Sequence, residues 1–125
     1  MDIQRKTKLV AIVDDDDSMR SALHGLLSAV GLPARAYASA EEFLASGQQD
    51  QTGCLITDLR MPGISGLELL AKLSAAHCRI PTIFITGQCD ATMRMLALRA
   101  GAVEFLPKPF DDEVLLESVR AALES

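Results

Sequence analysis

Four consecutive aspartates, Asp14 to Asp17, directly follow the apolar run at 9–13 in this 125-residue chain. Carboxylates so close together repel one another, so they stay ionised only where water, a metal or a basic group compensates them. An ordinary helix N-cap explains Asp16 and Asp17 equally well, because acids are common in a first helical turn. Asp14 and Asp15 lie where a parallel sheet places its binding crevice. They are therefore the stronger candidates for a cation site.

Short apolar segments alternate five times with longer segments of helical period. This pattern predicts βα units and a parallel sheet covered by helices on both faces. We predict strands at 9–13, 34–37, 54–57, 80–86 and 103–106.

Several residues mark where the predicted helices begin and end. Gly31 and Gly101 are typical C-terminal stops, and Asp111 is a typical N-cap for the last helix. Capping boxes are predicted at 39–42 and 65–68, each pairing a serine with a glutamate three residues later. The fourth helix is predicted from about Asp90 to Ala100. Pro107 fits an edge strand or a strand end, because it has no backbone N–H to donate.

In such a sheet the C-terminal ends of the strands bring a set of polar groups to one edge. The set is Asp14, Asp15, Asp58, Thr86 and Lys108. Three carboxylates favour a hard cation such as Mg²⁺, which prefers oxygen ligands and commonly bridges carboxylates to a phosphoryl group. Lys108 adds a positive charge and Thr86 a hydroxyl donor. A carboxylate beside a bound metal can attack phosphorus to form an acyl phosphate, so the pattern predicts phosphoryl transfer to an aspartate.

Composition limits the other functions. A formal net charge of -5 argues against nucleic-acid binding by this chain, because phosphate contacts need a clustered basic surface. Cys54, Cys78 and Cys89 lack metal-ligand spacing, and we interpret them as reduced thiols. No apolar run approaches the roughly 20 residues of a membrane span. We expect a single-domain, cytoplasmic protein without a membrane partner.

Five motifs in order carry a family resemblance. They are Val-Asp-Asp at 13–15, Thr-Asp-Leu-Arg-Met-Pro at 57–62, Ser-Gly at 65–66, Ile-Thr-Gly at 85–87, and Ala-Gly-Ala with Phe-Leu-Pro-Lys-Pro-Phe between 100 and 110. The chain resembles the receiver domain of two-component response regulators, the CheY-like family, and most closely the FixJ-type receivers. The resemblance implies a flavodoxin-like α/β fold with strand order 2-1-3-4-5 and five helices.

The resemblance also implies a role for each acid at the strand ends. Asp58 resembles the phospho-acceptor, and Asp15 a direct Mg²⁺ ligand. Asp14 resembles a ligand that acts mainly through water, and the backbone carbonyl of Arg60 would complete the protein's share of the metal shell. The Arg60 side chain is bulkier than is common at that position in the family.

Three further residues match the family's switch. Lys108 resembles the lysine that contacts the phosphoryl group, and its bond to Pro109 is expected to be cis. Thr86 resembles the hydroxyl that moves onto the phosphoryl group, and Phe105 the aromatic residue that rotates with it. Phe105 stands where many relatives have tyrosine, so a switch through a ring hydroxyl is excluded. Taken alone, Thr86 is an ordinary strand-end hydroxyl and Phe105 an ordinary core residue.

Several alternatives stay open at this point. The implied phosphodonor is a sensor histidine kinase, and the implied output is a DNA-binding domain that would follow position 125. A stand-alone receiver acting through protein contacts is the alternative. A haloacid-dehalogenase-type phosphatase should carry a second acid two residues after its nucleophile, where this chain has Arg60. A binding module with a structural cation would leave Thr86 and Lys108 unexplained.

The predicted fourth helix is apolar on two opposite faces, and only one of them can pack on the sheet. The resemblance places Leu98 inward, which leaves Met93 and Leu96 as the expected outer contacts. We expect the outer face to form a homodimer on phosphorylation, together with the fifth strand and the fifth helix. One face holds Ala91, Met95 and Leu98, and the other holds Met93, Leu96, Ala97 and Ala100.

Overall fold

The structure is a computed structural model that describes residues 8–87 and 91–124. Within these ranges five parallel strands form one sheet in the order β2-β1-β3-β4-β5, which confirms the predicted fold class and strand order. Cys89, Asp90 and the basic N-terminal residues Arg5 and Lys6 lie outside the described residues. The strands are β1 Leu9–Val13, β2 Ala34–Tyr37, β3 Thr52–Asp58, β4 Thr82–Thr86 and β5 Glu104–Pro107.

In the described part of the chain four α-helices connect the strands, a fifth follows β5, and a short 3₁₀ helix precedes β3. Side chains alternate along β1, so Val10 and Ile12 pack with α1 and α5 whereas Ala11 and Val13 pack with α2 and α3. Helix α4 packs with part of α3 on a third cluster beside β4 and β5. The helices are α1 Asp17–Ala29, α2 Ala40–Ala45, α3 Gly66–Ala75, α4 Ala91–Arg99 and α5 Asp112–Leu123.

Strand ends differ from the predictions by one or two residues. Strand β4 begins at Thr82 rather than Ile80, because Pro81 has no N–H for the ladder, although its carbonyl still accepts from Leu55 N at 2.9 Å. Strand β3 extends beyond the predicted apolar core to Thr52 and Asp58. Pro107 ends β5 at the edge of the sheet, where its missing N–H was predicted to be tolerated.

Helix caps follow the sequence closely. Ser65 and Glu68 form the predicted capping box of α3, and Asp111 Oδ1 accepts from the first-turn N–H groups of α5. At α2 half of the predicted box forms. Ser39 accepts from Glu42 N, but the Glu42 carboxylate accepts from Ala38 N at 3.1 Å, one residue before the cap.

The orientation of α4 corrects an expectation. Leu98, expected to face inward, is 42% exposed, whereas Ala97 is fully buried and Met93 packs against the cluster containing Phe105. Residues 93 and 97 share a helix face, while Leu98 lies about 140° around the helix from Met93. Small Ala97 therefore faces the interior, and the outer apolar surface consists of Met95, Leu96 and Leu98 rather than Met93 and Leu96.

The described cysteines are free, as predicted. Burial raises the pKa of the Cys54 thiol to about 12, so this residue behaves as a small core side chain. Among the described residues no helix combines the length and apolar character that crossing a lipid bilayer requires.

Candidate functional site

The site forms at the C-terminal edge of the sheet, where β1 delivers Asp14. This side chain is 2% exposed and is held from several sides. Its Oδ1 accepts from Asp16 N at 2.9 Å, and its Oδ2 lies 3.3 Å from Lys108 Nζ. The Asp14 backbone N donates to Tyr37 O at 3.2 Å, and its carbonyl oxygen accepts from Arg20 Nη1 at 2.7 Å. Asp14 therefore has little freedom to move.

Asp58 ends β3, beside β1 in the sheet, and is partly buried. Its Oδ2 accepts from Lys108 Nζ at 2.8 Å, and its Oδ1 accepts from Arg60 N at 3.1 Å. The Arg60 side chain is exposed. Lys108 thus bridges the two strand-end acids, Asp14 and Asp58, that the sequence separates widely.

Lys108 is positioned by the strand that precedes it. Its backbone N donates to Thr86 O at 2.8 Å, immediately beyond the register pair of Thr86 with Pro107. The bond between Lys108 and Pro109 is cis, as the family resemblance implied. The β4 and β5 ends therefore bring Thr86 and Lys108 to the same edge as the acids.

Three carboxylates meet at this edge. One oxygen from each of Asp14, Asp15 and Asp58 lies within 4.8 Å of the others, and the three side chains are respectively buried, exposed and partly buried. With one ammonium group beside three carboxylates, two negative charges stay uncompensated. A hard divalent cation carries that charge and prefers oxygen ligands, so the donor set fits Mg²⁺.

The charges within the cluster influence one another. Burial raises the pKa of Asp14 above its ordinary value, although the Asp16 N–H and the Lys108 charge oppose this shift. Burial acts to lower the pKa of Lys108, but the hydrogen bond to Asp58 and the charges of Asp14 and Asp58 together outweigh burial. The pKa of Lys108 therefore lies above its ordinary value. The ammonium form of Lys108 is therefore the one that faces the two carboxylates.

Thr86 and Phe105 occupy the positions expected from the sequence. Thr86 is buried at the end of β4. Phe105 is paired with Phe84 in the β4–β5 register, and both rings are buried in the cluster that contains Ala97 of α4. Phe105 thus connects β5, which Lys108 directly follows, to α4, which carries the exposed apolar side chains. Its role as a switch stays a prediction.

Gly66, a residue of the Ser-Gly motif, sets the distance between α3 and Asp58. A Cβ at this position would lie 2.3 Å from the Asp58 carbonyl oxygen and 2.9 Å from a ring carbon of Phe84. Its backbone N donates to Leu59 O at 3.0 Å. Any other residue would push the helix away from the acid.

Two more contacts at the site were not predicted. Glu41 on α2 accepts from Ile64 N at 3.3 Å, which holds the loop after Asp58 from a helix 23 positions away in sequence. Arg20 on α1 holds the Asp14 carbonyl. Neither contact has a sequence signal, because in both cases a charged side chain meets a backbone group.

Comparison with known proteins decides the family. Residues 10–120 match the family described as the response regulator receiver domain. The chain belongs to that family. This match confirms the resemblance that the motifs indicated. Receiver domains are signalling domains of two-component systems rather than classical enzymes.

Similar curated proteins include transcriptional regulatory proteins. This receiver domain is 47% identical over 116 residues to nodulation protein W of Bradyrhizobium diazoefficiens, covering 93% of the chain and 51% of that protein. It is 44% identical over 115 residues to the transcriptional regulatory protein FixJ of Rhizobium meliloti, covering 92% of the chain and 56% of that protein. The chain spans about half the length of the curated relatives it matches.

Solved structures share the fold. The crystal structure of FixJ-N aligns with a TM-score of 0.87 at 42% identity, covering 96% of both chains. The response regulator StyR aligns with a TM-score of 0.88 at 42% identity, covering 95% of this chain and 60% of that one. The chemotaxis protein CheY4 of Vibrio cholerae aligns with a TM-score of 0.82 at 26% identity, covering 94% of this chain and 100% of that one.

Proposed function

We propose that this receiver domain accepts a phosphoryl group on Asp58 from a sensor histidine kinase, with Mg²⁺ bound at the neighbouring carboxylates. The observation that carries the proposal is the contact of Lys108 Nζ with Asp58 Oδ2 at 2.8 Å, inside a cluster of three carboxylates. A lone structural cation site has no need of a lysine that competes for the same oxygen. A phosphorylation site does, because that lysine can balance the charge of the incoming group.

The transfer conserves atoms and charge in a simple way. An Asp58 carboxylate oxygen attacks phosphorus as the phosphorus–nitrogen bond of phosphohistidine breaks. The imidazole leaves with the electron pair of that bond and takes up a proton, and an acyl phosphate forms on Asp58. Lys108 moves its contact from the carboxylate to the phosphoryl oxygens, and the Thr86 hydroxyl follows. The Arg60 N–H keeps the other Asp58 oxygen oriented.

The residues divide the metal-binding task according to their exposure. Asp15 is exposed and is the proposed direct ligand, together with Asp58 and the Arg60 carbonyl. Asp14, already bonded through both carboxylate oxygens, is the proposed ligand through water. When bound, Mg²⁺ supplies positive charge that the transferring phosphoryl group requires.

The proposed output lies outside this sequence. Residues 1–125 form one receiver domain of a longer regulator, and a DNA-binding domain would carry the transcriptional activity. Support comes from the relatives, which are about twice as long and include transcriptional regulatory proteins. The acidic net charge of -5 supports leaving DNA contact to the other domain.

The proposed response to phosphorylation is a homodimer formed through α4, β5 and α5. Met95, Leu96, Leu98 and Val103 are exposed large apolar side chains on α4 and just before β5. A population shift requires that the dimer-competent state binds the phosphoryl group more tightly than the resting state does. Phe105, packed in one cluster with Phe84 of β4 and Ala97 of α4, is the proposed connection between the two sites.

Mass spectrometry after incubation with acetyl phosphate and Mg²⁺ tests the assignment. The wild-type chain should gain one phosphoryl group, and Asp58→Asn should gain none. Asp50→Asn is the matched control, because Asp50 is an exposed acid in the 3₁₀ helix before β3. Labelling that persists in Asp58→Asn would show that another residue accepts the phosphoryl group.

A further inference from the structure

Arg20 has no assigned role in the proposed phosphoryl transfer, yet its side chain is directed to the site. It lies in the first turn of α1, its side chain is 19% exposed, and its Nη1 donates to the Asp14 carbonyl oxygen at 2.7 Å. Its Nη2 forms an ion pair with Asp17, whose side chain is 91% exposed. One guanidinium group thus joins the strand end to the start of the helix.

The bonded carbonyl belongs to the peptide between Asp14 and Asp15. Because a peptide unit is planar, fixing its oxygen also fixes the orientation of its N–H and the position of the Asp15 Cα. Helix α1 is a firm support for this bond, since Asp16 caps it and Leu23 and Leu27 are buried. Arg20 therefore holds the peptide that leads into Asp15 against the first turn of α1.

The Asp15 side chain depends on that placement. It is exposed, and no hydrogen bond to any residue in 8–87 or 91–124 holds its carboxylate. Asp14 and Asp58 differ in this respect, because Lys108 bonds to both. For Asp15, the backbone is what keeps a carboxylate oxygen within 4.8 Å of the other two acids.

We propose that Arg20 is a positioning residue for the cation site, which it serves by fixing the Asp14–Asp15 peptide so that the Asp15 carboxylate stays beside Asp58. The inference rests on the proposed function, because it takes Mg²⁺ as the cation. Arg20 touches neither the cation nor the phosphoryl group. Groups outside the metal shell that orient its ligands typically change metal affinity about 10–100-fold when they are removed.

Removing Arg20 has two effects on cation affinity, and these effects have opposite signs. Removing a positive charge near a cation site should strengthen cation binding, because two like charges repel. Removing the bond that positions Asp15 should weaken it. A weaker affinity for Mg²⁺ in a neutral variant therefore cannot arise from the lost charge.

Calorimetric titration of the whole chain with Mg²⁺ is the test. Arg20→Met should bind Mg²⁺ about tenfold more weakly than wild type. Arg20→Lys, which keeps the charge and loses the planar fork, should bind more weakly than wild type and more tightly than Arg20→Met. The labelling rate with acetyl phosphate should fall at low Mg²⁺ and return to within about twofold of wild type at saturating Mg²⁺.

Two control variants separate the contacts of Arg20. Asp17→Ala removes the exposed ion pair and keeps the Asp14 bond, so its affinity should stay within about threefold of wild type. Arg120→Met removes a positive charge in the last turn of α5, away from the site, and should also leave the affinity unchanged. Far-UV circular dichroism and the metal-free unfolding midpoint check that each variant is folded.

If Arg20→Met binds Mg²⁺ as tightly as wild type or more tightly, the positioning role is wrong. If Arg20→Met does not fold, a wild-type affinity in Arg20→Lys would overturn the role instead. A loss in Asp17→Ala as large as that in Arg20→Met would assign the effect to the ion pair instead. If the wild-type chain itself binds no Mg²⁺, the proposed function fails first, and this outcome is distinct from the three results above.

Discussion

Helices α1 and α4 are held on the sheet in different ways. Helix α1 is capped by Asp16, buries Leu23 and Leu27, and is tied to the end of β1 through Arg20. Among the described residues of α4, Ala97 alone is buried, and three large apolar side chains are exposed. Two of the acids that need fixed geometry, Asp14 and Asp15, thus adjoin the firmly packed helix. The proposed partner surface lies on the weakly packed one, as is typical of elements that move.

Truncating one leucine on each helix should give the largest contrast. Leu27 is fully buried, so Leu27→Ala should lower the free energy of unfolding by about 2–5 kcal/mol. Leu98 is 42% exposed, so Leu98→Ala should change it by less than about 0.5 kcal/mol. Urea unfolding of both variants checks this difference. Equal losses would mean that α4 is packed as firmly as α1.

The next effect concerns the acid beside α1. Asp15→Asn removes the exposed carboxylate of the cluster and should weaken Mg²⁺ binding by at least about tenfold. Calorimetric titration measures the change. Asp112→Asn, which alters an exposed acid in the first turn of α5, is the matched control. A wild-type affinity in Asp15→Asn would remove this residue from the metal shell.

Acid should weaken the same site in a defined direction. Because burial raises the pKa of Asp14, its carboxylate takes up a proton at a higher pH than an ordinary aspartate does. Mg²⁺ affinity should therefore fall as pH decreases from about 7 toward about 4, and this loss should begin above the usual aspartate range. Titrations at several pH values test it. A constant affinity over this range would contradict the carboxylate site.

The cap of α1 should have a smaller effect. Asp16 Oδ1 accepts from Ser18 N at 2.9 Å and from Met19 N at 3.3 Å. Asp16→Ala should therefore lower the free energy of unfolding by about 1 kcal/mol, as loss of an N-cap usually does. Thermal and urea unfolding measure the loss, with Asp16→Asn as the control that keeps a capping oxygen. An unchanged stability would show that α1 does not depend on this cap.

Charges on the outer face of α4 should have the smallest effect on stability and a clear effect on assembly. Met95→Glu and Leu98→Glu should each change the free energy of unfolding by less than about 0.5 kcal/mol. Each should also weaken the dimer that beryllofluoride, a stand-in for the phosphoryl group, is expected to stabilise. Sedimentation velocity measures the dimer.

Two further variants sharpen this test. Val30→Glu, at the exposed end of α1, should leave the dimer intact. Met93→Glu should unfold the domain more easily, because Met93 packs on the cluster of Phe84 and Phe105. A chain that stays monomeric with beryllofluoride at high concentration would exclude the dimer altogether.

The sequence predicted the elements and the strand-end acids because both depend on local patterns. Apolar runs of four to seven residues, bounded by caps and glycines, located the strands, and Asp14, Asp15 and Asp58 followed from their places after those runs. The strand order came from the family resemblance, because periodicity does not specify which strands are neighbours. Lys108 was placed at the site because it follows the fifth apolar run and because it matches the family motif.

The failures also have physical reasons. Helix α4 has apolar residues on both faces, so helical periodicity alone does not select the buried one, and Leu98 was assigned to the wrong side. Arg20 and Glu41 bond to backbone groups, which leave no complementary residue to find in the sequence. The close approach at Gly66 depends on the distance between α3 and β3, which only the packed structure fixes.

An open sheet has two edge strands, and at high concentration each could pair with an edge strand of another molecule. The outer strand β2 exposes Arg35, and the opposite strand β5 ends in Pro107, which offers no N–H to a neighbouring chain. Charged side chains and proline at sheet edges discourage the strand-to-strand addition that leads to aggregation and fibres. At high concentration these two edges thus disfavour the extension of the sheet from one molecule to the next.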